Sequence, residues 1–294
     1  MVFIRDKKVK GHSYAYIVKN SWDNENKKVR QEIVKYLGKS SLVTLKDIPK
    51  EFHQDPNVIS FLARYSTDTK KTEKLESFMK DKMLTLLKNY EIQSLFEIFE
   101  KYCHNFGLAK FFERLLTPVM YTVGDLWSKG VLDVATEHIC SNAAHTLVKL
   151  INEKVSRRVG SSSINTKKIM LCTPEGELHS LGCMIIESLL VSKGYAVFNI
   201  APSVPSDSVI SFIKKLEPDI VIISITLTEN LGSAKRLIND ILVSNGKIPE
   251  ILVGGAGVSL IKKEQNDYSI SGVEFLKNTS LSGLLTIVKE KYNK

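Results

Sequence analysis

Glu177, His179 and Gly182 stand in the order Glu-x-His-x-x-Gly, within the stretch Thr173-Pro174-Glu175-Gly176-Glu177-Leu178-His179-Ser180-Leu181-Gly182. A histidine two residues after a carboxylate is suited to holding a metal. One ring nitrogen ligates while the carboxylate accepts a hydrogen bond from the other, which fixes tautomer and orientation. The stretch lies between the apolar run Ile169-Met170-Leu171-Cys172 and the apolar-periodic run Met184-Ile185-Ile186-Glu187-Ser188-Leu189-Leu190. That order reads as strand, loop, helix. It puts His179 at the carboxyl end of the first strand of an α/β pattern, where open parallel sheets bind ligands. A single histidine in such a loop is more often an ordinary surface residue, so the reading rests on what accompanies it.

Two further groups stand downstream. Ser224-Ile225-Thr226 begins after 41 residues counted from Gly182, and Gly254-Gly255 follows after 27 more counted from Thr226. A third constellation precedes them: Trp127, nine residues, then Glu137-His138. Trp127 falls at the end of a helical pattern, Lys129-Gly130 makes the break, and Asp133 is placed to cap the next helix. Taken without the other motifs, this is a core tryptophan and a solvated Glu-His pair.

The arrangement from Glu177 to Gly255 resembles the cobalamin-binding domain of methionine synthase, corrinoid proteins and cobalamin mutases, which carries Asp-x-His-x-x-Gly, Ser-x-Leu and a Gly-Gly pair at similar separations. The resemblance implies that His179 displaces the cofactor's own base and ligates cobalt from below. It implies that Gly182 leaves room for the displaced tail, that Ser224 and Thr226 line the tail pocket, and that Gly254 and Gly255 let backbone approach the tail's end. A long tail threading between sheet and helix requires residues without bulky side chains. Glu177 stands where the wider family has Asp, and Thr226 where it has Leu. With Trp127, Glu137 and His138, the chain is similar to the adenosylcobalamin-dependent photoreceptors that regulate transcription. In that family the tryptophan packs against the upper adenosyl group and the Glu-His pair helps hold it. Glu-x-His-x-x-Gly is that narrower family's form. Two departures stand: Ser128 replaces the histidine that follows the motif tryptophan, and residues 1–55 do not show the MerR-type winged helix-turn-helix.

The elements that must position these residues fall into four stretches. Residues 1–55 form a basic, β-rich module, with strand-like segments at 2–5, 14–19 and 29–37 and Gly38 ending the last. Residues 56–73 are a linker with a short helix. Residues 74–158 read as a four-helix bundle capping the cofactor, with helices near 74–88, 91–105, 108–128 and 133–156 and breaks at Gly107, Pro118 and Gly130. After the Ser-rich Gly160-Ser161-Ser162-Ser163, residues 165–294 alternate strands (near 167–173, 195–200, 219–225, 250–254 and 272–276) with helices (near 179–193, 206–216, 229–244, 257–264 and 280–292). The fold class is therefore α/β plus all-α: a small β module, a bundle, and a flavodoxin-like, doubly wound five-stranded parallel sheet.

Length and composition bound the rest. With 294 residues and 43% hydrophobic content, the chain can build two cores. No apolar run approaches a membrane span and no signal-peptide core is present, so a soluble cytoplasmic protein is expected. Cys103, Cys140, Cys172 and Cys183 lack CxxC spacing, which argues against a disulfide framework or a zinc site. Residues 1–55 hold 12 Lys and Arg against 7 Asp and Glu, so more than half of the net charge of +9 sits in less than a fifth of the chain. With Tyr14, Tyr16, Trp22 and Tyr36 read as exposed, that module is a candidate nucleic-acid contact, or a docking or homo-oligomer surface.

The first expectation is a sensor holding adenosylcobalamin, responsive to light and not itself an enzyme. Methylcobalamin and hydroxocobalamin are the other forms considered. The alternative is a corrinoid methyl carrier that works with a methyltransferase partner.

Overall fold

The computed structural model describes residues 2–9, 11–23, 28–53, 55–65, 69–159, 167–261 and 270–292. It divides into two units, residues 1–144 and 145–294.

The first unit opens with a three-stranded antiparallel sheet of β1 (Val2–Val9), β2 (His12–Asp23) and β3 (Lys28–Lys39), in the order β1-β2-β3. The strands run longer than the apolar segments that announce them, because Lys, Arg and Asn fill their solvated positions. Gly38, at φ +93°, lies one residue before the end of β3. The β2–β3 register shifts between Ala15 and Tyr16 and again between Ile17 and Val18, bulges that sharpen the twist. Ala15 and Ile17 are fully buried on one face, against Val43, Ile48 and the helix α1 (Pro56–Tyr65), whose Val58, Phe61 and Leu62 complete a small core. Asp6, on the same face, accepts from Tyr65 Oη at 2.9 Å and Ser40 Oγ at 2.5 Å and pairs with Arg64. Tyr14 and Tyr16 are half-buried rather than exposed, whereas Tyr36 is exposed. The side chain of Trp22 lies outside the described residues.

The helical part comprises α2 (Thr69–Lys88), α3 (Ile92–Phe106), a continuous helix from Leu108 to Ser128, and the start of α6 (Val134–Val159). The continuous helix consists of α4 (Leu108–Phe111), a π turn (Phe112–Leu116) and α5 (Thr117–Ser128). Pro118 does not break it. A proline inside an α-helix lacks an N–H and crowds the carbonyl four residues back; the π turn, closed by the Thr117 N–H on the Phe112 carbonyl, widens the backbone just before it. Leu95, Ile98, Phe99, Tyr102, Phe111, Leu115 and Val119 recur at helical spacing because they line the core. Phe99 and Phe111 meet edge to face at 5.2 Å. Within this core the buried Glu76 accepts from Tyr102 Oη at 2.8 Å and from Arg114 at 3.1 Å.

The second unit is built on five parallel strands, β4 (Lys168–Cys172), β5 (Ala196–Asn199), β6 (Ile220–Ser224), β7 (Glu250–Gly254) and β8 (Val273–Phe275). Their order is β5-β4-β6-β7-β8, with the strand order reversing at β4, as in doubly wound flavodoxin-like sheets. Helices α7 (Leu181–Val191) and α11 (Leu281–Tyr292) supply Cys183, Leu190, Leu284 and Val288 to one sheet face. Helices α8 (Ser206–Leu216) and α9 (Leu231–Val243) supply Val209, Ile213, Leu237 and Ile241 to the other. With both faces covered, β4 and β6 read as unbroken apolar runs. The helix expected at 257–264 is represented by α10 (Ala256–Ser259). The Ser-rich linker at 160–163 lies outside the described residues.

Candidate functional site

The loop after β4 is tied down before any ligand is considered. Gly176, at φ +89°, turns the chain and donates its N–H to Ser203 Oγ at 3.0 Å. Thr173 Oγ1 donates to the Glu177 carbonyl at 3.0 Å and accepts the Ser203 N–H at 2.7 Å. These bonds bury the Glu177 side chain completely, with 0% of it exposed, while His179, two residues on, keeps 53% of its side chain exposed.

A buried carboxylate is costly unless its lone pairs are filled. Here they are filled by five donors. Oε1 accepts from the His179 ring Nδ1 at 2.5 Å and from the His179 backbone N–H at 3.1 Å. Oε2 accepts from the Thr226 N–H at 2.9 Å, the Leu227 N–H at 3.0 Å and the Asn230 amide at 3.0 Å. Burial alone pushes the Glu177 carboxyl up. The His179 ring, the Leu227 N–H, the Asn230 amide and the His179 N–H outweigh it and bring the carboxyl down to about 2. An ionised Glu177 draws the imidazole proton to Nδ1, which leaves Nε2 as the lone-pair nitrogen of the ring. That is the tautomer a metal requires of an axial histidine.

The small residues also have physical reasons. A Cβ built on Gly182, at the start of α7, stands 3.3 Å from Ser224 Oγ at the end of β6, so the first helix and the third strand approach closely there. Gly255 has φ +111°, and a Cβ there falls 2.2 Å from the Ile225 carbonyl oxygen, a contact no side chain tolerates. Gly254 is less confined, its nearest neighbour being Leu276 at 3.6 Å. Leu178, Leu227 and Leu260 are exposed on loops at the carboxyl ends of β4, β6 and β7, an apolar rim on the same edge of the sheet as His179.

Of the residues singled out in the sequence, the second unit brings Glu177, His179, Gly182, Ser224, Thr226, Gly254 and Gly255 to this edge. Thr226 acts there through its backbone N–H. Sequence reasoning missed Asn230 and Ser203, which reach Glu177 and its loop from other loops, and Gly257, where a Cβ lies 3.2 Å from Ile225 Cγ2 and from the Leu227 carbonyl. Only the Gly-x-Gly continuation of Gly255 hinted at the last. His145, on α6 in the same unit, was also passed over; burial first, and the charge of His179 second, push its pKa down.

Trp127, Glu137 and His138 belong to the first unit. Trp127 is 49% exposed at the end of α5. Gly130, at φ +68°, turns the chain, and Asp133 caps α6 by accepting the Thr136 N–H at 2.9 Å. Glu137 accepts from Ser141 Oγ at 2.6 Å and meets His138 Nδ1 at 2.6 Å, so both oxygens of the pair's carboxylate are held. Val131, Val134 and Ile139 are exposed around the same turn.

The doubly wound sheet with its oriented histidine and glycine-lined edge, and the helices before it, are matched by models of cobalamin-binding domains, which makes this a cobalamin-binding protein. Two family models, each described as a B12 binding domain, match residues 167–275 and 79–152. The trimethylamine corrinoid protein of Methanosarcina barkeri is 27% identical over 150 residues, which cover 50% of this chain and 68% of that protein. The methanol–corrinoid protein of Methanosarcina barkeri (strain Fusaro / DSM 804) is 33% identical over 93 residues, 31% of this chain and 36% of that protein. The solved monomethylamine corrinoid protein of Methanosarcina barkeri shares the fold at 13% identity and TM-score 0.58, covering 72% of this chain and 97% of that one. The chain thus spans about two thirds of the first relative's length and about a third of the second's. These relatives are corrinoid proteins, which favours the methyl-carrier expectation over the light-responsive one. No described helix is long and apolar enough to cross a membrane.

Proposed function

We propose that this chain is a corrinoid methyl carrier that serves a methyltransferase partner and is not itself the catalyst. The observation that carries this reading is the Glu177–His179 pair, because a buried carboxylate held by five donors orients one half-exposed imidazole with its proton on Nδ1, the form a histidine takes as a metal ligand through Nε2. The names of the corrinoid relatives support the carrier over the sensor. When bound, cobalamin supplies a cobalt centre suited to carrying a methyl group between a donor and an acceptor.

The protein's part is to bind and orient. His179 would offer Nε2 to cobalt, with Glu177 keeping the proton on Nδ1. Gly182, Ser224, Gly254 and Gly255 would accommodate the cofactor's tail, and Thr226 braces Glu177 through its backbone N–H. In the first unit, Trp127, Glu137 and His138 of the bundle at 74–158 are the residues assigned to the group the cofactor carries. The sheet domain at 165–294 would hold the tail, and residues 1–55 with the connector at 56–73 stand outside the carrier function.

The test loads the full chain with methylcobalamin and follows methyl transfer to a thiol acceptor in the presence of a corrinoid methyltransferase. Transfer faster than from free methylcobalamin at equal concentration supports a carrier; an equal rate removes it. The exposed Trp127 and the paired Glu137 and His138 favour a second reading, an adenosylcobalamin-dependent light-responsive regulator. Under that reading, green light changes the mass measured by light scattering; under the carrier reading it does not.

A further inference from the structure

The N-terminal sheet has an outward face that the carrier function does not use. Residues directly opposed across strands share a face, and the pairs Arg5 with Tyr16, Lys7 with Tyr14, Tyr16 with Tyr36 and Tyr14 with Lys39 all lie on the face opposite the Ala15–Ile17 core. The Tyr36 ring stands 5.0 Å from that of Tyr16 and 6.5 Å from that of Tyr14, at interplanar angles of 43° and 33°. Arg5, Lys7 and Lys39 flank this ladder and are exposed. None of the residues paired across the face is acidic. Of the side chains described, the carboxylates of the pairing scheme stand on the other face: Asp6 opposite Ala15, where Ser40 and Tyr65 hold it, and Glu32 opposite Lys19.

We propose that this face is a binding platform for single-stranded nucleic acid, with bases stacked on the exposed ring of Tyr36 and on the accessible parts of Tyr14 and Tyr16, and phosphates held by Arg5, Lys7 and Lys39. Aromatic rings bordered by cations suit a single strand, because every unpaired base has a π face and every linkage a negative charge. A duplex hides its base faces and offers the tyrosines nothing to stack on. An acidic polypeptide satisfies the cations but leaves the three rings without partners. Gln31, opposite Asn20 on this face, accepts from Arg5 Nη1 at 2.9 Å and steadies the guanidinium without adding charge.

Fluorescence anisotropy tests this with the full cobalamin-loaded chain and labelled 15-mers of oligo-dT, oligo-U and a mixed-sequence duplex. Single strands are expected to bind more tightly than the duplex, with affinity falling as salt rises, at a log–log slope of about −2 for three phosphate contacts. Oligo-dT and oligo-U distinguish DNA from RNA as the strand. Tyr36→Ala is expected to weaken binding at least about 5-fold, Tyr36→Phe to leave it unchanged, and Lys7→Glu to weaken it and flatten the salt slope. Tyr36 and Lys7 are exposed, so both variants keep the fold; circular dichroism and retained cobalamin binding confirm it. Equal affinity for the duplex, insensitivity to Tyr36→Ala, displacement by poly-glutamate as effectively as by oligonucleotide, or no binding at low salt would each overturn the platform.

Discussion

The ring Nδ1 of His179 and Oε1 of Glu177 stand 2.5 Å apart, and the same oxygen also accepts the His179 backbone N–H. One carboxylate oxygen therefore fixes both where the histidine's backbone runs and which ring nitrogen carries the proton. The other oxygen anchors this pair to the loop after β6 through Thr226, Leu227 and Asn230.

Glu177→Gln separates orientation from ligation. A glutamine amide presents its NH2 to donors already aimed at that space, so the apo chain is expected to lose about 2–3 kcal/mol in urea unfolding. His179→Ala leaves Glu177 four of its five donors, and a loss of about 1 kcal/mol is expected. Cobalamin absorption spectra read the other half: His179→Ala should abolish the shift that marks histidine ligation. Retention of that shift removes His179 as the ligand.

Gly182→Ala and Gly255→Ala are expected to part company. Gly255 combines φ +111° with a carbonyl 2.2 Å from the new Cβ, so its substitution should cost about 3 kcal/mol or more and reduce the yield of folded protein. Gly182 sits in the first turn of α7, where alanine improves helix propensity and the new methyl meets only Ser224 Oγ at 3.3 Å. The apo chain should melt at the same temperature or slightly higher while cobalamin affinity falls. Unchanged affinity would place the tail elsewhere.

Acid lability follows from Glu177 and Asp219. Burial raises the Asp219 pKa, but the Lys168 N–H at 2.9 Å and Lys247 at 3.0 Å outweigh it, so its folded pKa is lowered, as is that of Glu177. A carboxyl whose folded pKa is depressed contributes stability that is full above its unfolded value, about 4, and is lost as pH falls through the folded value. Urea midpoints should therefore hold above about pH 5 and fall steadily below about pH 4. In Asp219→Asn the fall should be shallower.

In the bundle, Tyr102→Phe removes the hydroxyl on Glu76 and leaves Arg114 as the carboxylate's remaining side-chain donor in this triad. A loss of about 1–2 kcal/mol is expected, with cobalamin binding unchanged. Coupled losses of stability and cofactor affinity would show that Glu76 acts beyond the core.

The second unit was legible because its information is local. β4 and β6 are buried on both faces and spell apolar runs, and each helix begins within two residues of the expected position, although α10 ends five residues early. The site was legible only in part. Glu177, His179 and Gly182 lie within six residues, so spacing exposes them. Asn230 and Ser203 reach the same loop from 53 and 27 residues away through hydrogen bonds that leave no periodic trace. The N-terminal strands were underestimated for another reason: their solvated face is rich in lysine and arginine, and cross-strand pairing rather than propensity extends them. Tyr14 and Tyr16 read as exposed because their neighbours are polar, yet each is shielded by the ring of Tyr36 across the sheet.

The π turn at Phe112–Leu116 sets the angular phase of everything that follows it on the same helix. One extra residue in a helical circuit advances the downstream surface by about 100°. Val119 and Val123 face the core and Tyr121 faces outward with that residue in place, while Trp127, four residues beyond Val123 on nearly the same stripe, is exposed where the helix ends. A single deletion between Phe112 and Leu116 would rotate the Trp127 indole away by roughly a quarter of a turn. The Trp-x9-Glu-His spacing would stay intact in sequence. Two chains can therefore share this motif letter for letter and still point its tryptophan in different directions.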